Sequence, residues 1–218
     1  MRGEVVTCRR CPRLVAWREK VAGERRAAYA TQKYWGKPVP GFGDPSARLA
    51  VIGLAPAAHG GNRTGRVLTG DRSGDWMWAA LWRAGLASQP ESVSSDDGLR
   101  AIGVWVTATV KCAPPQNRPT PQERDNCLPF LERELELLPS VKAFLALGGF
   151  AYEACCRVLG VRPRPPFGHG VEVPLTGGRA LICSYHPSQQ NTFTGRLTEG
   201  MLDSVIARAW ALAVGVGD

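Results

Sequence analysis

Short apolar runs alternate along this chain with longer stretches of helical composition. Four runs rich in β-branched and aliphatic residues predict buried strands, at 49–54, 104–110, 141–147 and 180–185. Strands that are apolar on both faces and are separated by helices are typical of a parallel sheet covered on each side. The pattern therefore predicts an α/β fold with a mostly parallel sheet.

The stretches between these runs predict four main helices, at 75–86, 121–138, 150–159 and 197–214. The second helix has the clearest start: Thr120 can cap it, Pro121 suits its first turn, and Glu123 completes a capping box. Segments 35–48, 88–100 and 162–174 are polar or rich in proline and glycine, which favours loops. No repeat or linker divides the chain, so we predict one domain over residues 1–218.

Three of the predicted strands run into conspicuously polar sequence. The segments are GLAPAAHGGNRTGR at 53–66, KCAPPQNRPT at 111–120 and SYHPSQQNTFTGR at 184–196. Ligands of open parallel sheets bind outside the carboxyl ends of the strands. We therefore expect these three loops to meet at one edge of the sheet and to form a functional site.

The chain carries a formal net charge of +8, and arginine dominates its basic residues. Because the arginine fork suits phosphate, this charge favours a nucleic-acid partner, with a merely solvated basic surface as the alternative. No apolar run is long enough and uncharged enough for a membrane span, and the first ten residues do not resemble a secretory signal. We expect a cytoplasmic protein.

Seven cysteines without an export signal argue against a disulfide framework. Cys8 and Cys11 form a C-x-x-C pair, and Cys112 and Cys127 follow about a hundred residues later. Four such residues can hold one metal ion or one cluster, and the loose second pair suits a cubane iron–sulfur cluster somewhat better than zinc. A redox C-x-x-C pair is a third reading. Cys155, Cys156 and Cys183 lie in apolar sequence and are interpreted as core residues.

Two motifs offer candidate chemistry. In TGDRSGDW at 69–76, Asp75 is either a first-turn helix residue or a carboxylate at the mouth of a site. Pro187 holds His186 in extended backbone after the fourth strand, where an imidazole can act in catalysis or serve the structure alone. The glycine-rich segment 53–66 matches neither a Walker loop nor a dinucleotide fingerprint, so a plain turn remains open for it.

Taken together, these segments resemble the uracil-DNA glycosylase superfamily, and within its iron–sulfur branch they are most similar to family 5, the type B enzymes. The resemblance runs from Cys8 to about Arg208. Its most specific parts are GLAPAAHGGNRTGR, TGDRSGDW, VKCAPPQNRPTPQE at 110–123 and SYHPSQQNTFTGRLT at 184–198.

The resemblance implies a three-layer α/β/α fold with a four-stranded, mostly parallel sheet. It also implies a structural [4Fe–4S] cluster held by Cys8, Cys11, Cys112 and Cys127. The implied reaction is hydrolysis of the N-glycosidic bond of a base flipped out of double-stranded DNA, which leaves an abasic site. His186 would donate a hydrogen bond to the departing base.

This chain departs from the better-known branches of that superfamily. Where those branches place an acidic or amide residue, it has Ala57, Ala58 and His59. We therefore take Asp75 as the leading candidate to position water, with Asn62 and Asp71 behind it. The expected lining of the substrate pocket is Gly53, Ala55, Ala57, His59, Leu68 and Ala108.

Leu68 replaces an aromatic residue of the iron–sulfur relatives that stacks on the base, and Ala108 replaces an asparagine that reads its edge. Because an apolar pocket rejects near-isosteres poorly, we expect excision of hypoxanthine and xanthine as well as uracil. The expected DNA contacts are Arg63, Arg66, Arg118, Ser188, Gln190, Asn191, Phe193 and Arg196.

We expect a monomer. A non-catalytic iron–sulfur protein that recognises DNA damage is the alternative function, because the usual first-motif acid is missing. A zinc-stabilised nucleotide hydrolase is a weaker third, since no carboxylate cluster for phosphate-bound metal is evident.

Overall fold

The computed structural model describes residues 1–215, so three residues of the predicted domain 1–218 lie outside it. Its helices are α1 (Arg2–Val6), α2 (Pro12–Glu24), α3 (Gly61–Thr64), α4 (Arg72–Arg83), α5 (Pro121–Glu136), α6 (Gly149–Val158), α7 (Gln189–Phe193) and α8 (Glu199–Val214). Its strands are β1 (Phe42–Gly43), β2 (Leu49–Gly53), β3 (Val104–Ala108), β4 (Ala143–Leu147), β5 (Glu172–Leu175) and β6 (Arg179–Ser184). Short 3₁₀ turns occupy Ala27–Tyr29 and Pro115–Asn117.

The strands form one sheet in the order β1-β3-β2-β4-β6-β5. The four predicted strands are its parallel centre, in which Leu49 pairs with both Val104 and Ala143. The two added strands, β1 and β5, are short and antiparallel at the edges. The predicted fold class is confirmed, and the sheet has six strands instead of four.

Side chains of the central strands alternate between two apolar cores. Val51 and Leu145 pack in the core that α4 and α8 cover, whereas Ile52 and Phe144 pack in the core on the side of α5 and α6. This alternation follows from the period of two along a strand. The result is the expected three-layer α/β/α arrangement.

The helix starts explain how the loops are placed. Thr120 caps α5 in a complete capping box with Glu123, as predicted. Helix α4 begins one turn earlier than the predicted position 75, because the side chain of Asp71 accepts the backbone N–H of Gly74 and caps the helix there. Within residues 1–215, no helix is long and apolar enough to cross a membrane.

Candidate active site and cysteine centre

A cleft of about 560 Å³ opens at the carboxyl ends of the parallel strands. Its walls come from the loops after β2, β3 and β6 and from the first turns of α4 and α7. The predicted meeting of three loops at one sheet edge is therefore confirmed. The cleft is lined by Gly53–Ala57, Val67, Leu68, Asp71–Ser73, Thr107, Ala108, Gln116–Arg118, His186 and Ser188–Gln190.

Asp71 is the acidic residue of the cleft lining. Its carboxylate lies against Gly60, where a β-carbon would collide with it. Burial raises the pKa of Asp71 to about 6, and the nearby charge of Asp75 adds to the rise. A carboxylate whose pKa is raised in a cleft is a candidate for acid–base or charge-stabilising chemistry.

Asp75 does not line the cleft. It lies in the first turn of α4, is exposed to solvent, and its backbone N–H donates to the carbonyl of Asp71. The structure thus places the runner-up, Asp71, in the cleft lining and Asp75 outside it. The cap that starts α4 at Asp71 points the earlier carboxylate inward and leaves the later one on the outer turn.

His186 also lines the cleft, in the loop that follows β6. Its carbonyl accepts from the side chain of Asn191 at 2.8 Å and from the backbone N–H of Ser188 at 2.7 Å. Gly148 packs against its β-carbon. Burial lowers the pKa of His186 to about 4, so its imidazole is neutral above pH 5. Asn191, expected at the DNA, instead holds the backbone of the histidine in place.

The floor of the cleft is apolar. Ala108 ends β3 there and is 3% exposed. Leu68 adopts a left-handed backbone with φ of 46°, and its carbonyl accepts from the indole N–H of Trp78 at 2.7 Å. A strained non-glycine residue in a cleft is held there by its surroundings, and such residues cluster at functional sites.

His59 and Asn62, two other expected site residues, lie outside the cleft. The Nδ1 atom of His59 is 2.9 Å from the hydroxyl of Tyr34. Asn62 is 1% exposed and donates to the carbonyl of Arg18 at 3.2 Å. Both residues hold the loop that follows β2, and neither is placed to contact a substrate in the cleft.

Arg63 and Arg66 are buried, contrary to the expected phosphate contacts. The guanidinium of Arg63 donates to Gln32 and to the carbonyls of His59 and Gly70. Arg66 pairs with Asp97 at 2.6 Å, and both side chains are less than a tenth exposed. These internal partners satisfy the two guanidinium groups and give them a structural role.

Most of the other residues that were expected to contact DNA lie at or near the rim of the cleft. Arg118, Ser188 and Gln190 line it. Phe193 is 68% exposed at the end of α7, and the guanidinium of Arg72 lies 4.4 Å from its ring centre. Arg196 is exposed and stacks on Tyr185 outside the lining. An exposed aromatic ring among cations suits contact with DNA.

Six polar residues of the lining were not among the expected site residues: Arg72, Ser73, Thr107, Gln116, Asn117 and Gln189. Gln116 and Asn117 are exposed at the rim in consecutive left-handed conformations, with φ of 55° each. Thr107 precedes Ala108 in the lining, and its hydroxyl joins a buried network with Lys111 and Glu134, which pair at 2.6 Å. The PPQN sequence at 114–117 is the one signal that marks Gln116 and Asn117, since it predicts a turn.

The four expected metal ligands lie around one small internal cavity. Cys11, Cys112 and Cys127 are buried and Cys8 is half-buried. The guanidinium of Arg18 donates to Cys112 Sγ at 2.9 Å, and the Asn126 amide donates to Cys11 Sγ at 3.4 Å. We call these four cysteines the cysteine centre.

The chemistry around the cysteine centre fits a bound group of negative charge. Burial raises the pKa of Cys112 to about 12 and that of Cys127 to about 11, so without a metal these thiols keep their protons. Donors that point at sulfur stabilise thiolates, which a metal cluster requires. Within residues 1–215, no group of three or more histidine, cysteine or acidic side chains is close enough together to hold a single metal ion.

The remaining cysteines are core residues, as expected. Cys155, Cys156 and Cys183 are buried in the core that faces α5 and α6. Their side chains pack against the other apolar residues of that core.

Comparison with protein families matches residues 40–210 to the uracil DNA glycosylase superfamily. The chain is 55% identical over 212 residues to a type-5 uracil-DNA glycosylase of Mycobacterium tuberculosis, covering 96% of this chain and 79% of the relative. It is 54% identical over 210 residues to a type-5 uracil-DNA glycosylase of Thermus thermophilus, covering 96% and 95%. A type-4 uracil-DNA glycosylase of Pyrobaculum aerophilum is 29% identical over 161 residues, or 72% of this chain and 74% of the relative.

Proposed function

Because this chain belongs to the uracil-DNA glycosylase superfamily, a group of hydrolases that act on N-glycosidic bonds, we propose that it excises uracil from DNA. We further propose that it acts on double-stranded DNA by base flipping, leaves an abasic site, and also removes hypoxanthine and xanthine. The observation that carries the proposal is the cleft in which a buried carboxylate, Asp71, and a neutral imidazole, His186, share one lining.

Breaking a glycosidic bond places positive charge on the sugar and negative charge on the departing base. His186 is neutral, so it can donate an N–H to the base as negative charge grows there. Asp71 is ionised above pH 6 and can stabilise the sugar cation and orient water. The two groups thus match the two charges that develop.

The cleft volume of about 560 Å³ lies in the range of sites that hold small ligands, which supports the proposal that it receives a flipped nucleotide. Around it, Arg118 supplies a cation for phosphate, and Phe193 supplies an exposed ring for the gap that flipping leaves. These rim groups support binding to a duplex.

We propose that the cysteine centre holds a structural [4Fe–4S] cluster, ligated by Cys8, Cys11, Cys112 and Cys127. The cluster would fasten the N-terminal residues to the loop after β3 and to α5, which carry these ligands. The support is the shared cavity and the donors aimed at sulfur. A brown protein with four irons per chain is the expected product of purification.

The test of function uses a duplex with one uracil, followed by hot alkali to break abasic sites. Strand cleavage that depends on the protein supports glycosylase activity. Binding to the duplex without any cleavage would favour the alternative, a protein that recognises damage without excision.

The apolar floor sets the proposed range of substrates. Ala108→Asn adds an amide that can hydrogen-bond the edge of uracil, so we expect the rate ratio of uracil to hypoxanthine excision to rise about tenfold or more. Ala108→Val is the matched control, since it adds bulk without an amide and should slow both reactions alike. Single-turnover rates on both lesions measure the ratio, and an unchanged ratio in Ala108→Asn would contradict the role of the floor.

The two kinds of arginine should separate in binding and folding experiments. Because Arg118 is exposed at the rim, Arg118→Ala should reduce the slope of log binding constant against log salt by about 0.9, the value of one phosphate contact. Arg66→Ala should leave that slope unchanged and lower the free energy of unfolding by about 3–5 kcal/mol, because it leaves Asp97 buried without its partner. Binding isotherms at several salt concentrations and denaturant titrations give both quantities. If Arg66→Ala reduced the slope of log binding constant against log salt, Arg66 would be a DNA contact and its proposed structural role would be wrong.

A further inference from the structure

Arg18 is a buried cation on α2 that has no acidic partner of its own. Its side chain is 2% exposed. The nearest carboxylate oxygen belongs to Glu19 at 3.8 Å, but Glu19 is nearly half exposed and is already held by Arg9 at 2.5 Å. The Nε atom of Arg18 is buried without any partner among the described residues.

Other buried cations of this chain are satisfied differently. Arg66 has Asp97 at 2.6 Å, Lys111 has Glu134 at 2.6 Å, and Arg124 has Glu153 at 2.8 Å. Arg63 donates from all three of its guanidinium nitrogens to carbonyl and amide oxygens. A buried charge is costly unless a group of opposite charge lies beside it. The described side chains around Arg18 include no such close carboxylate, so another negative group is needed there.

The donors of Arg18 point at the cysteine centre. One terminal nitrogen lies 2.9 Å from Cys112 Sγ, and the other lies 3.2 Å from the carbonyl of Cys8. Four thiolates on a [4Fe–4S] core carry net negative charge in both common oxidation states. A bound cluster would therefore supply the negative partner that the Arg18 guanidinium lacks.

We propose that Arg18 is the charge partner of the cysteine centre, so that it both retains the cluster and sets its reduction potential. This inference rests on the proposed cluster and adds a residue outside the four ligands. Hydrogen bonds and charge beside the sulfurs are among the factors that tune such clusters.

Arg18 also joins this centre to the cleft. Its carbonyl accepts from the side chain of Asn62 at 3.2 Å, and Asn62 is 1% exposed in α3, which lies in the connection between β2 and α4. Residues 53–57 at the start of that loop line the cleft. Holding the cluster therefore also holds the backbone that supports one wall of the cleft.

The test compares Arg18→Gln, which removes the charge, with Arg18→Lys, which keeps it, in the purified full-length protein. Iron and sulfide content, the visible absorption during a redox titration, and the bleaching rate with an iron chelator are measured. We expect Arg18→Gln to have a lower reduction potential, because adding an electron next to an uncompensated negative cluster is less favourable. We also expect it to bleach about tenfold faster or more. Arg18→Lys should keep the potential near the wild-type value.

Arg10→Met is the matched control. Arg10 borders the same cavity, but it is exposed to solvent and its guanidinium stacks on Phe130 at 4.9 Å, so water screens its charge and its loss should change both measurements far less than the loss of Arg18 does. Circular dichroism confirms that each variant is folded. If Arg18→Gln does not fold, Arg18→Lys carries the test through its chelator rate, which should rise because a lysine cannot make both hydrogen bonds.

The outcomes separate the two proposals. Wild-type protein without iron would overturn the cluster, and with it the present inference. Iron-loaded wild type with the same potential and bleaching rate in Arg18→Gln would overturn the role of Arg18 alone. If only Arg18→Lys folds, a bleaching rate equal to that of the wild type would overturn it.

Discussion

Replacing Asp71 with asparagine is expected to lower the single-turnover rate of uracil excision by about 10²–10⁴-fold, while the protein becomes more stable. The amide keeps the cap of α4, because its oxygen can still accept the N–H of Gly74. It removes the charge that would stabilise the sugar cation. DNA binding should survive, since the rim groups are untouched.

The stability part follows from the raised pKa of Asp71, about 6. Because the folded state binds this proton more tightly than the unfolded state does, ionisation costs stability as pH rises through 4 to 6. The full cost, about 3 kcal/mol, applies above pH 6. Asp71→Asn should therefore raise the free energy of unfolding near pH 7.5 and have little effect below pH 4. Denaturant titrations at both pH values check this.

Asp75→Asn is the matched control for that substitution. Asp75 is one turn further along α4 and is exposed, so its loss should leave the rate near the wild-type value. Its charge contributes to the raised pKa of Asp71, so the acid limb of the rate profile should move to lower pH. A large loss of rate in Asp75→Asn with a normal rate in Asp71→Asn would reverse our assignment.

The two neighbouring aspartates also show why the sequence alone could not predict which acid lines the cleft. The motif TGDRSGDW placed Asp75 at the start of a helix, whereas the helix starts one turn earlier and is capped by Asp71. Local patterns locate helix ends only to within a few residues. The side-chain cap by Asp71 places that residue in the cleft lining and leaves Asp75 outside it, and Asp71 as the reactive acid stays a prediction.

The parallel strands were predictable because they are continuously apolar; the predicted run 49–54, for example, corresponds to β2 at Leu49–Gly53. Helix α2 was not anticipated. Its buried face consists of Leu14, Val15, Arg18 and Val21, so an arginine interrupts the apolar stripe that would mark a helix. The edge strand β1 spans only two residues, which is too short for any alternation to show.

The arginines were misplaced for a different reason. Sequence alone favours exposure for Arg66, because arginine is rarely buried unless it is paired. Its partner Asp97 lies 31 positions away along the chain, and only the fold brings them together. Asn191 shows the same limit, because its contact with the carbonyl of His186 depends on the cap by Ser188 that starts α7.

Replacing His186 with alanine is expected to reduce the excision rate by about 10²–10³-fold, the usual effect of losing one donor to a developing negative charge. His186→Gln should recover part of that loss, because an amide also donates a neutral N–H. His59→Gln is the control, since His59 contacts Tyr34 outside the cleft, and its rate should stay near the wild-type value. Single-turnover rates on a uracil duplex measure all three.

The pH profile tests whether His186 acts as a neutral or a charged donor. Burial lowers its pKa to about 4, so the imidazole carries no charge above about pH 5. The rate should then fall only on the acid side, below about pH 6, where Asp71 takes up a proton. If the imidazole had to be charged to act, the excision rate would instead fall as pH rises through the pKa of His186. A plateau from pH 6.5 to 9 in wild type, retained in His186→Gln at a lower level, fits the neutral donor, whereas an alkaline loss present only in wild type would contradict it.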